Sequence, residues 1–150
     1  MEYEIVPMKK EHISGIEALE KECFANPWNR RDIEAQLKNI NAHFLAAVSE
    51  KEVIGYLGIY EYFESCEMAN LAVSAPYRRQ GIARALVEKA IENAVFRGCD
   101  YITLEVRKSN APALNLYHSM GFEQAGLRKG FYTNPEEDAI IMTKYLREKK

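Results

Sequence analysis

The stretch of residues 82–97 constrains the fold most, because its apolar side chains recur every three or four positions. They form two adjacent rows, which are Ile82, Leu86, Ala90 and Ala94, and Ala83, Val87, Ile91 and Val95. On an α-helix these rows make one broad apolar face that has to be buried against another layer of structure. Gly98 follows directly, where a glycine commonly ends a helix. The chain therefore contains a long helix that packs against a sheet or against other helices.

The segments around this helix predict a mixed α/β sheet. Strand-like composition or alternation occupies residues 3–6, 44–49, 53–60, 67–73, 101–106, 122–125 and 139–146. Helical spacing or helix-capping residues occupy residues 10–24, 30–38 and 109–120, with Ile33 and Leu37 expected to face inward. Because a strand, a helix and a strand follow one another over residues 67–106, we expect a parallel strand pair with a right-handed crossover. We expect one domain over residues 1–150, with helices on the faces of the sheet.

The charge balance argues against a polyanionic partner that is recognised by global charge. The chain has 20 Lys and Arg against 22 Asp and Glu, a formal net charge of -2, so we expect no nucleic-acid partner. Its longest apolar runs are far shorter than a membrane span, and its first residues lack the pattern of a signal peptide. We therefore expect a cytoplasmic protein without membrane contact. Three cysteines without a CxxC pair and three scattered histidines have no metal-ligand spacing, so we expect no metal.

Residues 71–84 carry the most informative local pattern, a strand followed by a loop with paired arginines and then by a glycine at the start of the long helix. The free N–H groups and the positive dipole end of a helix favour an anion. Gly81 lets the backbone approach that anion without an intervening side chain, and Arg78, Arg79 and Arg84 add positive charge. The pattern indicates a cofactor that carries a pyrophosphate. The alternative is a glycine turn with solvated arginines.

Glu105 and Tyr117 are candidates for proton transfer. Glu105 interrupts an otherwise apolar strand between Leu104 and Val106. If it faces a cleft, desolvation would raise its pKa and let it act as a base near neutral pH. The alternative is an exposed strand residue or a partner of Arg107. Tyr117 either presents its phenol to the same cleft or packs as an ordinary amphipathic core residue.

At these residues the chain resembles a known family. The run Arg78-Arg79-Gln80-Gly81-Ile82-Ala83 resembles (Q/R)xxGx(G/A), the acetyl-CoA pyrophosphate loop of the GNAT superfamily of N-acetyltransferases. The second signature of that family is similar to Leu104-Glu105-Val106-Arg107, Ser109-Asn110, Leu116-Tyr117 and Gly121-Phe122.

Two other segments are similar to one branch of the family, the RimI-like branch, which acetylates the N-terminal alanine of a small-subunit ribosomal protein. They are Asn26-Pro27-Trp28 and the run of residues 137–142. The chain departs from the branch at Phe131, where a second tyrosine is often found.

The resemblance implies a fold and a way of holding acetyl-CoA. In the GNAT fold the central sheet is mostly antiparallel, two middle strands splay apart, helices cover both faces, and the pantetheine arm lies in the gap. The main chain of Leu71, Ala72 and Val73 would pair with that arm, as an added strand would, and an N–H near Leu71 would polarise the thioester carbonyl. The residues implied to hold the pyrophosphate are Arg78, Arg79, Gln80, Gly81, Ile82, Ala83 and Arg84. Asn110 matches the position that hydrogen-bonds the cofactor beside its thiol.

The resemblance also implies direct acetyl transfer to an amine. Glu105 matches the family's base, which takes a proton from the incoming ammonium, and Tyr117 matches the acid that returns a proton to the thiolate. None of the cysteines has the position of a nucleophile, so we expect no acetyl-enzyme. Trp28 and Tyr132 are candidate walls of the acceptor site, the alternative for each being simple packing.

The implied acceptor is the N-terminal α-amine of a ribosomal protein, with Ala or Ser as its first residue. An α-amino group has a pKa of about 7.7–8.0 and lysine about 10.4, so deprotonating lysine at neutral pH costs about 3.5 kcal/mol more. The alternatives are a protein lysine with a lowered pKa, a small amine attracted by acidic residues such as Glu61, Glu64 and Glu67, and a CoA-binding module without catalysis. For the oligomeric state we expect a monomer or a weak dimer.

Overall fold

The computed structural model describes residues 2–147, which form a seven-stranded sheet and four α-helices. The strands are β1 (Glu4–Pro7), β2 (Leu45–Ser49), β3 (Glu52–Tyr62), β4 (Ser65–Val73), β5 (Tyr101–Arg107), β6 (Glu123–Tyr132) and β7 (Glu137–Tyr145). The helices are α1 (Ile13–Cys23), α2 (Arg30–Lys38), α3 (Ile82–Phe96) and α4 (Ala111–Ser119). Among these described residues, no helix has the length and apolar character needed to cross a membrane.

The sheet is antiparallel except at its centre. Its strand order is β1-β2-β3-β4-β5-β7-β6, and only β4 and β5 are parallel. These two strands are paired only from Ser65 opposite Tyr101 to Met68 opposite Leu104. Beyond that point they separate, so the expected mostly antiparallel sheet with splayed middle strands is confirmed. The parallel pair joined through α3 is also confirmed.

A bulge in β4 coincides with the point where the strands separate. Gly58 of β3 lies opposite Asn70, whereas the next residue, Ile59, lies opposite Met68. Ala69 is therefore the extra residue, and a bulge of this kind bends the strand and increases its twist. The bend directs the end of β4 away from β5 and opens a gap in the sheet.

Helices cover both faces of the sheet, as expected. On one face, α3 contributes Leu86 to a core with Ile102 and Leu104 of β5. On the other face, Ile16 of α1 and Ile33 of α2 belong to a second, smaller core. The sheet therefore lies between two apolar layers, which is the usual arrangement of a mixed α/β domain.

The structure corrects two expectations. Leu37 is 40% exposed instead of facing inward, because Ile33 alone anchors α2 in the core. The strand expected over residues 122–125 continues to Tyr132 as β6. Strand β6 lies at the edge of the sheet, and most of its side chains are exposed. Its sequence therefore shows no apolar alternation, and hydrogen bonds to β7 hold the strand in place.

Candidate active site

A cavity of about 520 Å³ lies where β4 and β5 separate. Six residues singled out in the sequence line it, namely Trp28, Leu71, Glu105, Asn110, Tyr117 and Tyr132. They come from the loop between α1 and α2, from β4, β5, α4 and the end of β6. The fold thus assembles at one point side chains that lie more than 100 positions apart in the chain.

Glu105 projects into the cavity because β5 alternates between the two faces of the sheet. Its neighbours Leu104 and Val106 are buried in the larger core, so the carboxylate points the other way. Its Oε2 atom is buried and has no hydrogen-bond partner among the described residues. The Arg128 Nε atom lies 3.8 Å from it. Burial raises the pKa of Glu105, the charge of Arg128 partly opposes this, and the charge of Glu67 adds to it.

The alternative partner for Glu105, Arg107, is engaged elsewhere. Its Nη1 atom lies 3.4 Å from Glu137 Oε1, and the Oε2 atom of Glu137 accepts a hydrogen bond from the Ser109 N–H at 2.6 Å. The pKa of Glu137 is lowered, chiefly by a hydrogen bond from the Ser109 side chain, with smaller contributions from the Ser109 N–H and from Arg107. Glu105 is instead paired with Arg128.

Tyr117 both packs in the core and lines the cavity. It is buried, and its ring meets Phe122 edge-on with centroids 5.5 Å apart. Burial raises the pKa of its hydroxyl further above neutral pH, where a tyrosine is already protonated. The two alternatives for Tyr117 in the sequence are therefore compatible, because the ring is packed while the residue faces the cavity.

Asn110 has a structural role at the start of α4. Its Oδ1 atom accepts a hydrogen bond from the Ala113 N–H at 3.2 Å, and Pro112 follows in the first turn. An asparagine cap of this kind satisfies one of the free donors of the helix. Its side-chain NH2 group is not used in that cap.

The main chain at the end of β4 is directed partly into the gap. The Ser74 N–H donates to the Ile54 carbonyl of β3 at 2.9 Å, so the Val73 carbonyl of the same trans peptide points away from β3. By the two-residue repeat of a strand, the polar groups of Leu71 also point to the open side. Those of Ala72 are directed at β3. This corrects the expectation that all three residues offer their main chain to a cofactor.

The loop before α3 has an open, left-handed backbone. Arg79 and Gly81 have φ angles of 63° and 80°, and a Cβ atom at Gly81 would meet nothing within 4 Å. No side chain caps the helix, so the N–H groups of residues 82–84 have no acceptor within α3. Gln80 lies beside them and donates from Nε2 to the Pro76 carbonyl at 3.2 Å. The geometry is that of an anion site built from main chain.

Two of the arginines near this loop have partners within the chain. Arg78 Nε donates to the Val73 carbonyl at 2.9 Å, and its Nη2 lies 3.4 Å from Cys23 Sγ. Arg84 Nη2 donates to Ser119 Oγ at 2.7 Å. The guanidinium groups of Arg78 and Arg84 therefore already have contacts within the chain.

Trp28 and Tyr132 lie on two opposing segments of the cavity. Trp28 stacks on Phe44 with ring centroids 6.1 Å apart. The Arg107 guanidinium carbon lies 4.5 Å from the centre of the Tyr132 ring. Each side chain is thus held by an aromatic or cation–π contact while it lines the cavity.

The two opposing segments also touch each other. Asn26, in the loop between α1 and α2, donates to Thr133 Oγ1 at 3.1 Å and accepts from Asn134 Nδ2 at 3.5 Å. Arg107 holds the second segment, because its guanidinium donates to the Thr133 and Pro135 carbonyls at 2.8 and 2.9 Å. The walls of the cavity are therefore bridged on one side.

Sequence reasoning missed three of the residues that shape this site. Arg107 was considered only as a partner of Glu105, and Arg128 received no role at the site, because their neighbours in space are decided by the order β5-β7-β6. Glu20 did carry a signal, since it lies four positions after Ile16 on the apolar face of α1 and a charged residue there requires buried partners. Within residues 2–147, no group of three or more His, Cys, Asp or Glu side chains is arranged to hold a metal ion.

Comparison with known proteins shows the family. The chain matches the Acetyltransferase (GNAT) family over residues 13–122. The [ribosomal protein bS18]-alanine N-acetyltransferase of Escherichia coli (strain K12) is 34% identical over 126 residues, which cover 83% of this chain and 84% of that protein.

Solved structures agree with this. The ribosomal-protein-S18-alanine N-acetyltransferase from Escherichia coli superposes with a TM-score of 0.91 and 28% identity, covering 99% of this chain and 97% of that chain. The NatC complex bound to Gag peptide and CoA contains a chain with a TM-score of 0.85 and 28% identity, covering 98% of this chain and 100% of that one. The chain belongs to the GNAT family of acetyltransferases.

Proposed function

We propose that this chain transfers the acetyl group of acetyl-CoA to the N-terminal α-amine of a protein whose first residue is Ala or Ser, a small-subunit ribosomal protein in the cytoplasm. The observation that carries the proposal is the buried Oε2 atom of Glu105, which has no hydrogen-bond partner among the described residues and lies in the cavity between β4 and β5. A carboxylate with a raised pKa and an oxygen that accepts no hydrogen bond suits a general base near neutral pH.

The residues present fit acetyl-CoA. Leu71 directs its main-chain groups to the open side of β4, and Val73 its N–H, so an extended arm can pair there as an added strand. The Val73 carbonyl already accepts from Arg78. The backbone at Gly81 is open and leads to the free N–H groups of residues 82–84, which suit a pyrophosphate. Acetyl-CoA supplies an activated acetyl thioester when bound. The NH2 group of Asn110 is a further donor beside the cavity.

The chain's own groups account for the proton movements. The Glu105 carboxylate takes a proton from the acceptor ammonium, directly or through water, and leaves a neutral amine. The Tyr117 hydroxyl is protonated at neutral pH, as a tyrosine ordinarily is, and returns a proton to the departing sulfur. The Leu71 N–H is a candidate donor to the carbonyl that is attacked.

Two observations favour an α-amine over a lysine side chain. The contact between Asn26 and Thr133 bridges the two walls and leaves room for a chain end more readily than for a continuous chain. The α-amine is also easier to deprotonate, by about 3.5 kcal/mol at neutral pH. The names of the similar proteins agree, since one acts on the alanine of ribosomal protein bS18 and another holds a peptide together with CoA.

The alternatives have less support. Glu61, one of the acidic residues that a small amine would need, is paired with Arg97. The charge of Glu67 raises the pKa of Glu105, so Glu67 lies near enough to the base to attract a cationic amine. A small amine is therefore the second candidate acceptor. A module without catalysis would not need a cavity lined by both a tyrosine and a carboxylate whose buried oxygen has no hydrogen-bond partner among the described residues.

A peptide assay tests the proposal. The protein is incubated with acetyl-CoA and peptides that differ only in their first residue, and thiol release is measured. We expect Ala and Ser peptides to react, and a blocked peptide with an internal lysine, or a polyamine, to react at least tenfold more slowly. Equal rates on the blocked peptide would refute α-amine transfer, and faster reaction of the polyamine would favour a small amine.

Replacing Tyr117 by phenylalanine is expected to lower kcat at least tenfold, because the proton donor is lost while the ring remains packed on Phe122. The Kd for acetyl-CoA, measured by calorimetry, should stay within about twofold. Full activity of Y117F at neutral pH would remove the acid role from this residue.

A further inference from the structure

Glu20 is a buried carboxylate that the proposed chemistry does not use. It lies on α1, is only 1% exposed and lines the cavity. Its Oε1 atom accepts a hydrogen bond from the Trp28 N–H at 2.8 Å. Its Oε2 atom accepts from the Tyr56 hydroxyl and from Asn70 Nδ2, the latter at 3.2 Å. Burial of a carboxylate is unfavourable unless donors replace water, and here three donors converge on it.

These donors belong to different sides of the site. Trp28 is a wall of the cavity in the loop between α1 and α2. Asn70 directly follows the bulge at which β4 leaves β5, and its Nδ2 atom also lies 2.8 Å from the Tyr56 hydroxyl. Glu20 thus connects the acceptor wall to the strand that borders the gap.

The bond from the Trp28 N–H to Glu20 connects the main chain of this loop to α1. The residues just before Trp28, which are Ala25, Asn26 and Pro27, are exposed, and the side chain of Trp28 itself has a stacking contact with Phe44. The hydrogen bond that the Trp28 N–H donates to Glu20 Oε1 holds the backbone at the point where the chain turns into α2. A shift of the wall would change the fit of an acceptor without touching the acetyl donor.

We propose that Glu20 is a positioning residue for the acceptor, which acts by holding the Trp28 main chain and so the wall of the acceptor site. The part of this inference that concerns an acceptor rests on the proposed function. The part that concerns the position of Trp28 does not. Because Glu20 acts through Trp28, its loss raises the acceptor KM and leaves kcat and cofactor affinity nearly unchanged.

Four variants separate positioning from general stability. Glu20→Met removes both oxygens at similar volume and is expected to raise the KM for an Ala-initiated peptide at least tenfold, with kcat within threefold and the acetyl-CoA Kd within twofold. Glu20→Gln keeps one oxygen that can accept from Trp28, and its KM should recover to within threefold of the parent value. Tyr56→Phe removes a buried hydroxyl from the same network but leaves the Trp28 bond, so its KM should stay within twofold.

The matched control lies away from the cavity. Glu61 has a carboxylate that is 9% exposed and paired with Arg97, so Glu61→Met removes a buried, paired carboxylate without contact to Trp28. Its Tm should fall while the acceptor KM stays unchanged. If Glu20→Met does not fold, Glu20→Asp is used in its place. Its side chain is shorter by one methylene and cannot accept hydrogen bonds from the Trp28 N–H and the Tyr56 hydroxyl at the same time.

A second readout does not require any acceptor. Trp28 is the single tryptophan of the chain, so its emission reports the position of the wall directly. We expect Glu20→Met to shift that emission to longer wavelength and to increase acrylamide quenching at least twofold, whereas Tyr56→Phe and Glu61→Met leave both unchanged.

The outcomes are distinguishable. A raised KM together with a more exposed Trp28 supports the proposal. A KM that follows Tm across all variants, or an unchanged Trp28 emission in Glu20→Met, overturns it. If the parent protein acetylates no peptide, the proposed function fails, and the emission of Trp28 still decides whether Glu20 holds the wall.

Discussion

Glu105→Gln is expected to lower kcat at least tenfold, because general bases usually contribute about 10²–10⁴ to the rate. The amide keeps the size of the carboxylate but cannot accept the proton of the acceptor ammonium. Steady-state kinetics with a saturating Ala-initiated peptide would measure the loss. The acetyl-CoA Kd should stay within about twofold. Glu67→Gln, the same change on the neighbouring strand, is the matched control, and its kcat should stay within threefold. Full activity of E105Q would eliminate Glu105 as the base.

The pH dependence of kcat/KM tests the same role of Glu105. The base must be deprotonated, so kcat/KM rises with pH through the raised pKa of Glu105. Arg128 lowers that pKa and Glu67 raises it. Arg128→Gln should therefore move the acidic limb of the profile to higher pH, and Glu67→Gln should move it to lower pH. Shifts in the same direction, or an acidic limb that persists in E105Q, would contradict the assignment.

Gly81→Glu is expected to raise the Kd for acetyl-CoA at least about 100-fold, a loss of roughly 2.7 kcal/mol. The added carboxylate would lie at the start of α3, where the free N–H groups of residues 82–84 favour an anion and a second negative charge repels it. A side chain at a φ angle of 80° also strains the backbone, by about 1–2 kcal/mol. Calorimetry of acetyl-CoA binding provides the measurement.

Two variants at the same position separate charge from strain. Gly81→Gln has the size of the glutamate without its charge, and Gly81→Ala adds only a Cβ, which meets no atom within 4 Å. Both should lower Tm through strain, and their Kd values should stay within about tenfold of the parent value. Retained affinity in G81E would remove the pyrophosphate from this loop, and an equal loss in G81Q would assign the effect to strain.

Local spacing predicted the parts of the site that lie within one element. The two rows of residues 82–97 were confirmed as α3, with the first row buried and the second reaching solvent at Val95, which is 52% exposed. The alternation of β5 indicated that Glu105 faces away from Leu104 and Val106, because side chains on a strand alternate by geometry alone. The roles of Glu105 and Tyr117, and the single domain over residues 1–150, stay predictions.

Local spacing could not predict which distant elements pair with each other. Arg128 is the cation nearest Glu105 only because β7 pairs with both β5 and β6, and β6 was expected to end at residue 125. The direction of each peptide in β4 depends on the register with β3, which the sequence does not show. Ala72 was therefore grouped with Leu71 and Val73. Glu20 received no role since its donors lie 8, 36 and 50 positions away.

The sequence by itself determined the long helix, the alternating strand that carries Glu105 and the glycine at the start of α3, because each follows from interactions between residues a few positions apart. Only the tertiary structure decided that β4 bends away from β5 at Ala69, and that the walls around Trp28 and Tyr132 meet over the gap. Those features depend on strand register and on buried hydrogen bonds between distant segments. The net charge of the whole chain does not indicate these features, because the charged and polar groups of the site are brought together only by the fold.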